Sequence, residues 1–138
     1  MFKKIIFIEC DLAIRDATTY IVLAKWLEKR LDVKVIILGR NNINFFLKNF
    51  CDCIFILTPQ HYLKKTLNDK NFYFILETEG YLNHELIETA YFNPSLKNKK
   101  KLNKISKIFI WNENTKKVLK SHYNVKKDKL IVIGNPRL

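Results

Sequence analysis

The chain has 138 residues, 48% of them hydrophobic, which is enough for one globular domain built round a single core. Its 25 Lys and Arg outnumber 13 Asp and Glu, giving a formal net charge of +12. No apolar run is long enough to span a bilayer, and Glu9 and Asp11 interrupt the basic, apolar N-terminus before a signal-peptide core develops, so a cytoplasmic location is expected.

In chain order, Lys4 to Glu9 reads as a buried strand with a carboxylate at its end. A polar connection, Cys10 to Asp16, leads into a helix from Thr18 to Arg30, with Asp16 or Thr18 as its cap. Ile21, Leu23, Ala24, Leu27 and Leu31 form the expected inward stripe of that helix. Val33 to Leu38 is a second strand, closed by Gly39 and Arg40. Asn41 and Asn42 mark a turn or cap before a short helix from Ile43 to Phe50, whose Phe45, Phe46 and Phe50 are expected in the core.

Cys53 to Leu57 follows as a third strand, with Cys51 and Cys53 expected on one face. A short helix over His61 to Leu67 and a turn over Asn68 to Asn71 come next. The apolar run Phe72 to Leu76 then stops abruptly at Glu77, Thr78, Glu79 and Gly80, which marks a buried strand delivering two carboxylates to its C-terminal end. Beyond it the pattern gives a helix from Asn83 to Tyr91, a lysine-rich helical stretch from Ser95 to Asn103, and a strand from Lys107 to Trp111. A helix from Thr115 to Tyr123 and a sixth strand from Lys129 to Ile133 complete the series.

Strands alternating with helices define an α/β class: a doubly wound, mostly parallel, Rossmann-like sheet of about six strands in a single domain spanning 1–138. The three glycines, Gly39, Gly80 and Gly134, all fall just beyond strand C-termini, where the backbone turns or a ligand approaches. Cys10, Cys51 and Cys53 contain no Cys-x-x-Cys pair, and His61, His84 and His122 have no metal-ligand spacing, so reduced thiols and no metal centre are expected. Neither the dinucleotide fingerprint, the P-loop nor the nucleophile elbow is present.

The segments Glu77-Thr78-Glu79-Gly80, Ile110-Trp111-Asn112-Glu113-Asn114 and Ile133-Gly134-Asn135-Pro136-Arg137 occur in an order with a known counterpart. Together with Glu9, Arg15 and Asp16 before Tyr20, this order resembles the N-terminal half of surface-carbohydrate (polysaccharide) biosynthesis proteins. That group is akin to the CDP-glycerol glycerophosphotransferases and other GT-B-type glycosyltransferases. Asn112 and Thr78 depart from the pattern. The resemblance implies an acceptor-side domain, with the donor-binding domain supplied by a second α/β domain or a partner chain. It implies a saccharide acceptor, a nucleotide-activated sugar or polyol donor for the complete protein, and no cofactor held by this half. A 138-residue chain of this kind is expected to show no transferase activity by itself.

Within that frame Glu79, Glu77 and Glu9 are the catalytic candidates, because close carboxylates raise one another's pKa and can yield a general base. Glu79, adjacent to Gly80, is preferred among them. The alternative for Glu77 and Glu79 is capping a helix or pairing with a lysine, and for Glu9 capping the following helix through Arg15 or Thr18. Arg15, Asp16, Gly80, Trp111, Asn135 and Arg137 are the substrate-binding candidates; Arg137 also suits a hinge salt bridge, and Trp111 a packing role. Two other functions fit the same residues. One is half of a sugar-nucleotide epimerase with this architecture. The other is a non-catalytic basic α/β module holding nucleic acid or an anionic membrane surface. The cluster of Lys97, Lys99, Lys100, Lys101 and Lys104 is read first as a solvated loop or helix face, and only second as a membrane or phosphate contact. No RNA-binding signature is present, so nucleic acid is not among the partners expected of the protein as a whole, whereas peripheral contact with the inner face of the cell membrane is.

Overall fold

A computed structural model describes residues 4–59, 67–77, 85–87, 90 and 104–134. Its strands are β1 (Lys4–Cys10), β2 (Val33–Gly39), β3 (Ile54–Leu57), β4 (Phe72–Leu76), β5 (Ile105–Ile110) and β6 (Leu130–Val132). The principal helices among the described residues are α1 (Ala13–Arg30), α2 (Ile43–Asn49) and α3 (Glu113–Tyr123). Every strand pairing is parallel, in the order β2-β1-β3-β4-β5-β6. The fold is therefore the Rossmann-like α/β sheet that the alternating pattern predicts.

The continuous apolar runs make sense in this arrangement, because parallel strands are covered on both faces. Ile6, Ile8, Val33 and Val35 face α1 and pack with Tyr20 and Ala24. Phe7, Phe55, Tyr73, Ile75, Ile105, Ile108 and Ile110 face the other way and pack with Ile43 and Leu47 of α2 and Val118 and Leu119 of α3. Phe7 is the aromatic hub of that larger cluster, with its ring centroid 4.9 Å from Phe55, 5.1 Å from Phe46 and 5.4 Å from Phe50.

The chain runs from β1 outward to β2, then crosses back over β1 to β3. Right-handed crossovers in opposite directions put their helices on opposite faces, which is why α1 and α2 lie on different sides. The reversal falls between β1 and β3, and in open sheets of this kind the crevice beyond the C-terminal ends at such a point is the usual ligand position.

Several local expectations change. Helix α1 starts at Ala13, five residues before Thr18, with Leu12 as its N-cap and no side-chain cap hydrogen bond. Asp16 lies instead in the first turn, where its charge complements the exposed N–H groups of the helix. Of the expected inward stripe, Ala24 is buried and Leu23 and Leu27 pack on the sheet beside Asp16 and Tyr20, whereas Ile21 and Leu31 are about half exposed at 47% and 51%. Phe45 turns out to solvent while Phe46 and Phe50 pack on the core.

Cys51 and Cys53 do not share a strand face. Asp52 between them takes a left-handed conformation (φ 59°), so Cys51 is exposed and Cys53 buried, and β3 begins only at Ile54. Asn112 is the N-cap of α3, its Oδ1 accepting the Thr115 N–H at 2.8 Å, so that helix begins at Glu113. β5 correspondingly starts two residues earlier than expected and ends one earlier, so Trp111 lies just past it. Phe72 is 51% exposed, so the opening of β4 is not covered on both faces. The helices expected over 61–67, 83–91 and 95–103 lie wholly or mostly outside the described residues, as do all three histidine side chains.

Candidate functional site

The parallel arrangement brings the polar ends of β1 to β5 to one edge. At the end of β1, Glu9 is 1% exposed. Its Oε2 accepts the backbone N–H of Thr58 at 2.9 Å and the Thr58 hydroxyl at 3.1 Å. Thr58 is the first residue beyond β3, so its amide has run out of strand partners while remaining buried; a carboxylate across the β1–β3 boundary satisfies it.

Arg15 and Asp16 come together as the sequence suggests, but with each other. The Arg15 Nε donates to Asp16 Oδ1 at 2.8 Å and the Arg15 Nη2 donates to Oδ2 at 3.0 Å, a two-pronged pair between neighbours in the chain. Asp16 is buried behind Arg15 and faces Cys10 and Tyr20. Burial raises the Cys10 thiol, Asp16 and Asp11 raise it further, and Arg15 partly opposes them. The Tyr20 phenol is likewise pushed up, first by burial and then by Asp16. Both groups are therefore neutral near neutral pH.

At the other end of the edge, Glu77 follows β4 and is fully buried. Its N–H donates to the Phe109 carbonyl at 2.9 Å, extending the ladder one residue. Its Oε2 accepts the Trp111 backbone N–H at 2.8 Å, and its carbonyl accepts the Trp111 indole N–H at 2.7 Å. Glu77 and Trp111 thus form a closed clasp between the ends of β4 and β5. Glu79, Gly80, Asn135 and Arg137 lie outside the described residues.

An open cavity of about 570 Å³ lies beyond the ends of β1 and β2, lined by Asp11, Leu12, Gly39, Arg40, Asn41 and Asn42. It lies within the range of small-ligand sites, about 300–1,000 Å³. Arg40 Nη1 is 3.7 Å from Asp11 Oδ1, and the Arg40 side chain is half exposed. An ion pair this long and wet is weak, so the guanidinium can turn to a ligand at little cost. The wall therefore offers one cation, one carboxylate and two carboxamides, a set suited to hydroxyl groups and anions. From the sequence, Arg40, Asn41 and Asn42 read only as strand closure and turn. Their position after a strand at the ligand edge was the available signal.

No group of three or more His, Cys, Asp or Glu side chains that could hold a metal occurs among the described residues. No helix among them is long and apolar enough to cross a membrane. What the fold and edge define is a Rossmann-like α/β domain whose β1–α1 connection lacks a glycine fingerprint. In comparison with known proteins, no family model, no curated protein and no solved structure matches this chain.

Proposed function

We propose that this chain is the acceptor-side domain of a glycosyltransferase-like protein in surface polysaccharide biosynthesis, and that its C-terminal sheet edge receives a saccharide. The observation that carries this reading is the polar cavity beyond β1 and β2, with Asp11, Asn41 and Asn42 as partners for hydroxyls and Arg40 for an anionic substituent. The order of acidic, tryptophan and glycine-containing segments along the chain supports it as a resemblance. In this reading the nucleotide-activated sugar or polyol is held by a second α/β domain facing the same edge. Glu79, next to Gly80, remains the proposed general base, since the Glu77 and Glu9 carboxylates are turned into the sheet.

Titrating the isotope-labelled chain with neutral and uronic oligosaccharides, and following backbone amide shifts, tests the reading. Shifts should concentrate at Asp11, Gly39, Arg40, Asn41 and Asn42, and R40A should weaken binding of the uronic series more than that of the neutral one. Saturable binding that bypasses these residues, or no binding of either series, would refute it.

A further inference from the structure

Helix α1 packs Tyr20, Leu23, Ala24 and Leu27 on the sheet, yet it also exposes large apolar side chains on its other side. Its inward face buries Asp16 and Tyr20, while Ile14, Ile21, Val22 and Trp26 are exposed at 105%, 47%, 49% and 52%. At about 100° per residue, these four fall with Thr18, Lys25 and Lys29 on one outward arc roughly 140° wide. The arc is thus mixed, with Ile14 and Ile21 along one side, Val22 and Trp26 along the other, and Thr18, Lys25 and Lys29 between them. Four large apolar side chains exposed on one helix face mark a contact surface.

The charges on the helix are sorted as well. Its acids are held elsewhere: Asp16 is buried with Arg15, and Glu28 accepts the Val35 N–H at 2.9 Å and pairs with Lys34 at 3.3 Å. The outward arc has cations and no acid. Lys25 and Lys29 lie on it, and Arg30 flanks it with its guanidinium 5.7 Å from the Trp26 ring. Long cationic stems beside an exposed tryptophan are the composition of helices that lie in the interfacial layer of a bilayer.

We propose that the outward face of α1 docks on an anionic phospholipid surface, with Ile14, Ile21, Val22 and Trp26 entering the headgroup layer and Lys25, Lys29 and Arg30 meeting lipid phosphates. A second copy of the chain is a poorer occupant, because a two-fold contact would set these three cations against their own images on two chains of charge +12. An anionic bilayer supplies both complements at once: phosphates for the cations and an interfacial layer for the indole. This surface is separate from the cavity beyond β1 and β2, so the two readings stand or fall independently.

The test is co-sedimentation of the full chain with vesicles of phosphatidylcholine alone and of phosphatidylcholine mixed with phosphatidylglycerol. Binding is expected to the mixed vesicles only, to weaken with added salt, and to quench Trp26 emission when brominated lipid is used, with W26F removing that quenching. K25E/K29E and W26S should each lower vesicle affinity about tenfold or more while leaving the thermal unfolding midpoint unchanged, since all three side chains are exposed. The proposal fails if the chain ignores anionic vesicles. It also fails if neutralising Lys97, Lys99, Lys100 and Lys101 abolishes binding while the α1 variants retain it. Concentration-dependent dimerisation lost in W26S, or binding of an acidic helical peptide without vesicle binding, would assign the face to a protein instead.

Discussion

Glu9 and Glu77 occupy matching joints: each accepts a backbone N–H from the first residue beyond a strand, Thr58 past β3 and Trp111 past β5. They differ in how the joint is completed. At β1–β3 the same carboxylate oxygen also takes the Thr58 hydroxyl, so both of these bonds depend on one side chain. At β4–β5 the indole of Trp111 returns a bond to the Glu77 carbonyl, so part of the clasp survives loss of the carboxylate. The first joint also has titratable neighbours on the adjoining sheet face, Cys10, Asp16 and Tyr20, and lies where the strand order reverses. A strand-end carboxylate in a parallel sheet can thus close the sheet, and what surrounds it decides how much depends on it.

The sharpest way to break this comparison is to remove each carboxylate. E9A should lower stability by about 3 kcal/mol and E77A by about 2 kcal/mol, read from urea unfolding, because each leaves a buried amide without its charged acceptor. Equal losses, or losses below about 0.5 kcal/mol, would show that the joints are not held in this way. Smaller effects separate the second contacts. T58V and W111F should each cost about 1 kcal/mol, and T58V should add almost nothing on an E9A background, since the two share one interaction.

The smallest effect concerns pH and should appear at the β1 joint. Cys10 and Tyr20 have values raised above their ordinary 9.0 and 10.0 in the folded chain, so the native state keeps protons that the unfolded state has already released. Their contribution is complete below pH 9.0 and is lost as pH rises through the folded values. A C10A/Y20F variant should therefore show a shallower alkaline fall in urea midpoint than the parent chain. An unchanged slope would place the loss elsewhere.

Much of the architecture was readable from residues alone, because a parallel sheet needs apolar runs and those runs are continuous from Ile5 to Ile8, Val35 to Leu38 and Phe72 to Leu76. Strand order was not readable: pairing β1 with β3 depends on a crossover that leaves no local mark. The inward face of α1 was partly readable, since Leu23, Ala24 and Leu27 do pack on the sheet, but hydrophobicity alone also placed Ile21 and Leu31 there. Tertiary contacts instead turned Asp16 and Tyr20 inward and left Ile21, Val22 and Trp26 outside. The two glutamates were singled out correctly as strand-end carboxylates, but nothing in their spacing reveals that the amides of Thr58 and Trp111 wait within reach. Asn112 could have been found, since an Asn three residues before Thr115 at a strand-to-helix junction is a capping arrangement.

The position of β1 has a consequence for synthesis on the ribosome. Of the described strands β1 is made earliest, yet it is the internal neighbour of both β2 and β3. Once β2 has emerged, β1, α1 and β2 can close on one another, but the second edge of β1 offers its amides and carbonyls until β3 follows, some eighteen residues later. During that interval the nascent chain presents Ile6, Phe7 and Ile8 along an unfilled strand edge, an apolar stretch suited to pairing with another copy. The arrival of Thr58 at Glu9 ends this exposure, fastening the middle of the sheet before its last three strands exist.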